Sequence, residues 1–181
     1  MNDKNPLHTN HLAATAGSVS IFVDAGCSVN APTGWGLVFK DHNSVTTFSA
    51  CKRDDISVDP IMVEALGIIR AIQLARDLGL NYVSIFSDAA TVVDYINKKA
   101  KIAAIDMVVQ DCRALISSLL NVSVMFVRRD QIGDAHNLAS LAKVVGNRTW
   151  IGVTPIVFGI SNYAGDHVSI CIPNGCVPAF I

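Results

Sequence analysis

Hydrophobic and polar positions change period along this chain of 181 residues, and each change marks an element. Ser20-Ile21-Phe22-Val23 is apolar, β-branched and aromatic, and it stops at Asp24, which predicts a buried strand over 18–24. Gly34-Trp35-Gly36-Leu37-Val38-Phe39-Lys40 predicts a second strand over 34–40, closed by Asp41-His42-Asn43, and a third follows over 44–51. Gly26, Asn30, Pro32 and Gly34 supply turn chemistry between the first two. At Asp59-Pro60 the spacing becomes three to four residues. Ile61, Ala65, Ile68, Ile72 and Ala75 predict a helix with Pro in its first turn and Gly79 as its stop. A strand at Tyr82-Val83-Ser84-Ile85-Phe86, helices over 89–98 and 104–120, a fifth strand over 122–127 and a last helix over 134–145 complete the pattern.

Three leading strands joined by brief turns form an antiparallel meander, whereas strands separated by a crossing helix pair in parallel. The expected fold is therefore α/β: a mixed five-stranded sheet, its first three strands antiparallel, with helices on both faces, in one domain over 18–157. Residues 1–17 read as a flexible leader. The periodicity is lost after residue 145, and 146–181 hold only two charged residues, Arg148 and Asp166. The apolar tail over 158–181 stays unassigned, either an extra strand wrapping the core or poorly ordered.

Composition narrows the functional classes. Hydrophobic residues are 51% and charged residues 16%, which excludes a disordered chain. A net charge of −1 gives no broad basic surface, so affinity for nucleic acid has to come from local Lys/Arg and bound metal. Five scattered cysteines point to reduced thiols in an intracellular compartment, nuclear or cytoplasmic. No apolar run reaches the ~20 residues of a membrane span, and the polar start shows no secretory signal.

Three acids fall at comparable places: Asp24 at the end of the first strand, Glu64 in the first turns of the first helix, Asp88 at the end of the fourth strand. Alone, Asp24 reads more readily as a turn residue than as a metal ligand. A right-handed crossover would make strands one and four neighbours and bring both aspartates to one sheet end beside the helix start. Three carboxylates about 5 Å apart repel by about 3 kcal/mol per pair at an effective dielectric near 20, so either their pKa values rise or a cation sits among them. Oxygen-only ligands suit Mg²⁺ or Mn²⁺, and two such ions can drive phosphodiester hydrolysis.

These acids, in this order of elements, resemble the type 1 ribonuclease H-like superfamily, most closely the plant RNase H-like domains related to retroelement reverse transcriptases. The resemblance covers about residues 19–157. Asp24-Ala25-Gly26-Cys27 stands at the first Asp and its turn, and Gly34-Trp35-Gly36 at the start of strand two. Glu64-Ala65-Leu66 matches the helix motif, Phe86-Ser87-Asp88-Ala89 the third motif and Asp134-Ala135-His136-Asn137-Leu138-Ala139 the last helix. It implies a nuclease that hydrolyses the RNA strand of an RNA–DNA hybrid with Mg²⁺ or Mn²⁺. Asp24, Glu64 and Asp88 would be metal ligands, and Gly26, Cys27 and Asn30 would contact the nucleic-acid backbone. His136 stands where the family often has a fourth acid, as a ligand or as a polar group at the cleft rim. Asp134 reads as the helix N-cap. Arg128-Arg129, Lys52-Arg53 and Lys98, Lys99 and Lys101 read as solvated faces or phosphate contacts. No His follows the fifth strand. The expected partner is an RNA–DNA hybrid, with the chain a monomer or part of a larger polypeptide. The alternative is a catalytically impaired module of the same fold that binds nucleic acid or a protein.

Overall fold

The three leading strands pair antiparallel as their sequence predicts, and the first helix follows the change of period at Asp59. The computed structural model describes residues 17–28, 31–98, 101–158, 168–172 and 175–179; the leader up to residue 16, Asn30 and Lys99 lie outside the described residues. The elements are β1 (Val19–Ser28), β2 (Ala31–Lys40), β3 (Thr46–Asp54), α1 (Pro60–Asp77), β4 (Tyr82–Ser87), α2 (Ala90–Ile96), α3 (Asp106–Ser118), β5 (Asn121–Phe126), α4 (Gly133–Val145) and β6 (Arg148–Ile151). Single 3-10 turns at Ala103–Ile105 and Arg129–Gln131 precede α3 and α4.

The main sheet runs β5-β4-β1-β2-β3-β6. β1–β2, β2–β3 and β3–β6 are antiparallel, while β1–β4 and β4–β5 are parallel. The crossover through α1 thus sets β4 beside β1, as the helix-separated strands require. The sheet has six strands rather than the expected five. β6 pairs with β3 from Cys51↔Arg148 to Phe48↔Ile151 and so satisfies backbone groups that an edge strand would leave open. Its four residues alternate no apolar face, with Trp150 half-buried and Ile151 exposed, so hydrophobic periodicity carries no trace of it.

Two apolar layers hold the sheet. On one face Ile21, Val23, Leu37, Phe39 and Ile85 pack under Ala65, Ile68 and Ile72 of α1 and Val109 of α3. On the other, Val38 and Cys51 pack against Ala135, Leu138, Leu141 and Ala142 of α4. α4 reaches β2 closely because Gly34 and Gly36 present no side chain to it. Beyond β6, the segments β7 (Ile156–Phe158), β8 (Val168–Ile172) and β9 (Gly175–Ala179) form a separate antiparallel sheet, with β8 and β9 in the tail the sequence left unassigned.

Candidate metal centre

Asp24 does not end β1. The strand runs on to Ser28 as a two-stranded ribbon with β2, in which Asp24 faces Gly36 and Gly26 faces Gly34, with a register shift before Ser28↔Ala31. The glycines and Pro32 that suggest a turn lie largely within this ribbon, because β2 starts at Ala31. The parallel pairing with β4, however, stops at Phe22↔Phe86, so Asp24 stands just past the end of the neighbouring strand. Asp88 follows Ser87, the last residue of β4. Glu64 is in the second turn of α1, whose start is fastened to β2 by the buried Trp35: its indole N–H donates to the Val63 carbonyl at 3.2 Å. The Arg70 guanidinium lies 3.7 Å from the Trp35 ring centroid and pairs with Asp54, which Lys52 also approaches at 3.2 Å. Asp54 is therefore a structural anchor under α1.

One carboxylate oxygen from each of Asp24, Glu64 and Asp88 lies within 4.8 Å of the other two. Asp24 is 1% exposed, and its Oδ1 is buried with no hydrogen-bond partner. A buried carboxylate oxygen left unpaired is costly, and a cation satisfies it. Burial, and after it the charges of Asp24 and Asp88, push Glu64 up to about 8, partly offset by Arg129. Burial also raises Asp24, against the lowering influence of His136. Three crowded, hard oxygen donors with one orphaned atom fit a small divalent cation.

His136 enters from α4 and binds Asp24 directly: its Nδ1 lies 2.7 Å from Asp24 Oδ2. It is held against a ligand oxygen and stands outside the three-carboxylate group. Arg129 completes the ring, with Nη1 donating to Asp88 Oδ2 at 3.1 Å and Nη2 2.9 Å from His136 Nδ1. Arg129 was legible in the sequence only as one of a basic pair. Its signal lay in topology: β4 and β5 are parallel, with Ser87 facing Phe126, so the loop after β5 must emerge beside Asp88.

The remaining candidates are placed elsewhere. Gly26 sits in the ribbon near the Lys143 side chain, and half-buried Cys27 packs by the cluster of Ala25, Trp35 and Val63. Asp134 does not cap α4. The cap position is Ile132, without a side-chain cap bond, and Asp134 lies in the first turn, 3.4 Å from Lys40 Nζ.

The raised carboxyl groups give a pH test. Glu64 binds its proton more tightly folded than unfolded, so that stabilisation is present at low pH and is lost as pH rises from 4.5 to about 8. In EDTA the melting temperature should fall by several degrees from about pH 5 to about pH 8. Glu64→Gln should flatten this slope, and millimolar Mg²⁺ should lift the high-pH end. A parent slope unchanged by the substitution would contradict the crowded-carboxylate account.

Residues 22–142 match the model of the family described as Reverse transcriptase-like. No curated protein matches the chain. Among solved structures, RNase H1 from the halophilic archaeon Halobacterium salinarum is 19% identical with a TM-score of 0.65, over 70% of this chain and 97% of that one. The N-terminal RNase H domain of a Mycobacterium tuberculosis protein is 24% identical with a TM-score of 0.61, over 70% and 93%. LC11-RNase H1, isolated from compost and solved in complex with an RNA/DNA hybrid, is 17% identical with a TM-score of 0.62, over 69% and 96%. Identities this low speak to the fold alone.

Proposed function

Because the chain belongs to the Reverse transcriptase-like family, and with it to the RNase H-like superfamily, we propose that it is a divalent-metal-dependent endonuclease that hydrolyses the RNA strand of RNA–DNA hybrids. The observation that carries this reading is the convergence of Asp24, Glu64 and Asp88, with the buried Oδ1 of Asp24 left without a partner. The LC11-RNase H1 structure with its hybrid supports the choice of substrate.

Asp24, Glu64 and Asp88 would hold Mg²⁺ or Mn²⁺. A divalent ion there supplies Lewis acidity toward a phosphoryl oxygen and a water of lowered pKa. The chain's own groups prepare the site. His136 fixes the Asp24 carboxylate in one orientation, Arg129 does the same for Asp88, and Trp35 sets the turn of α1 that carries Glu64.

The alternative, a module that binds without cleaving, draws on one observation: Asp24 and Asp88 each already spend an oxygen on His136 and Arg129. A hybrid with a labelled RNA strand separates the two readings. With folded protein and millimolar Mg²⁺ or Mn²⁺, internal cleavage of the RNA strand is expected, and EDTA should stop it. An intact RNA strand in both ions, despite measurable binding of the hybrid, would establish the non-cleaving module instead.

A further inference from the structure

Phe126 carries an aromatic ring that the core does not use. It closes β5, the outer strand of the main sheet, opposite Ser87 of β4, and the Val127 N–H donates to the Ser87 carbonyl at 3.0 Å. Its backbone is therefore fixed one residue from Asp88 across the pairing. Val122 and Val124, on the same face of the strand, pack into the core, while Phe126 is 51% exposed and belongs to none of the apolar clusters. Among the described residues, the other exposed aromatic ring is that of Tyr82, which opens β4 at the far end of the sheet.

An isolated exposed ring is ordinary on a protein surface. This one lines a cleft of about 430 Å³ together with Asp88, Arg128, Arg129 and Asp130. Arg129 is tied to Asp88 and His136. Arg128 is 81% exposed, and its pairing with Asp130, at 3.6 Å, is open to solvent on both sides. Such a pair holds weakly and leaves the guanidinium available to a phosphate. An apolar ring and an available guanidinium on one cleft wall match the two repeating parts of a nucleic-acid strand, its sugar and its phosphate. The bases of a hybrid are paired and stacked on one another, so the ring meets the sugar and not a base. Two arginines balance two acids in this cleft. With the divalent ion of the ribonuclease reading on Asp88, the balance becomes positive, as a polyanion requires.

We propose that Phe126 and Arg128 form a platform that seats the RNA strand beside the scissile phosphate, the ring packing on a ribose and the guanidinium pairing with the phosphate that adjoins it. The inference rests on the ribonuclease reading above, which places the cleaved strand against Asp88. Neither group touches the reacting bond, so the expected loss on substitution lies in binding and not in the chemical step.

The test measures binding and cleavage separately. Affinity is read by fluorescence anisotropy with a hybrid carrying a non-hydrolysable linkage, in millimolar Mg²⁺ and over a range of KCl concentrations. Phe126→Ala should bind about tenfold more weakly, with the parental salt slope. Its single-turnover cleavage rate at saturating protein should stay within about threefold of the parent, and its melting temperature should match the parent. Phe126→Tyr, which keeps the ring, should restore the affinity. Arg128→Gln should lower the slope of log affinity against log salt by about one. Phe126→Ala binding within about twofold of the parent would overturn the inference, as would a Phe126→Tyr protein that stays weak. A lower melting temperature for Phe126→Ala would overturn it too, by making the ring part of the core. An Arg128→Gln slope equal to the parent's would remove the phosphate contact. If the parent and Phe126→Ala differ tenfold in binding and neither cleaves, the ribonuclease reading fails while the platform stands. If the parent cleaves and Phe126→Ala binds as the parent does, the platform alone fails. A parent that binds no hybrid overturns both.

Discussion

Asp24→Asn is expected to lower RNA-strand cleavage by about a thousandfold or more while leaving the protein folded. The carboxylate is almost fully buried, with Oδ2 held by His136 and Oδ1 without a hydrogen-bond partner, and one of its oxygens lies within 4.8 Å of oxygens of Glu64 and Asp88. An amide is neutral, and it must place an NH₂ group at one of these two positions. Turned toward the cluster, the NH₂ meets the cation. Turned toward His136, it leaves a neutral amide oxygen in place of a charged one toward the cluster. Either way the site loses one charge and one fixed ligand. The same substitution removes one of three crowded negative charges, so the metal-free variant should melt above the parent at neutral pH. Single-turnover cleavage beside thermal melting in EDTA reads both effects. A variant that cleaves at the parental rate would mean the chemistry lies elsewhere, and one that melts lower in EDTA would contradict the crowding of the carboxylates.

Gly36→Ala carries the largest expected effect on stability. A Cβ on Gly36 would lie 1.9 Å from the Ala135 carbonyl oxygen, and one on Gly34 would lie 2.0 Å from that of Ala139. Both obstacles are backbone of α4, which cannot rotate aside as a flexible side chain can. α4 would have to lift off β2, uncovering Val38, Leu138 and Leu141. Overpacking of this severity costs about 3 kcal/mol or more, a large share of the stability of a domain this size. Because His136 rides on α4, any folded remnant should also lose cleavage. Gly133→Ala serves as the control, since nothing lies within 4 Å of its added methyl and it sits in the first turn of a helix. Urea unfolding of the two variants should separate them widely. Equal midpoints would show that α4 does not pack as described.

The same close contact explains why much of the fold was legible. Gly34-Trp35-Gly36 encodes two faces at once: glycines toward α4, Trp35 buried on the opposite side and bonded to the helix that carries Glu64. Helix and strand periods placed Glu64 and Asp88 on the right elements, since both depend on local alternation and on one crossover. Features set by distant pairing were less visible. The ribbon that carries β1 past Asp24 arises from pairing with β2, so a local reading of Gly26 and Pro32 as turn residues cut the strand short. β6 is held by backbone bonds to β3 and shows no apolar alternation. The electrostatic partners were hidden for a similar reason. Arg129 meets Asp88 across 41 positions and His136 meets Asp24 across 112, and no spacing rule reaches that far.

The claim that Asp24, Glu64 and Asp88 form a cation centre is tested most directly by a crystal of the parent chain soaked in Mn²⁺ and measured at the manganese absorption edge. The expected result is an anomalous peak in contact with an oxygen of all three carboxylates, with His136 still on Asp24 Oδ2. A well-ordered site that shows the three side chains and no peak at millimolar Mn²⁺ would contradict it.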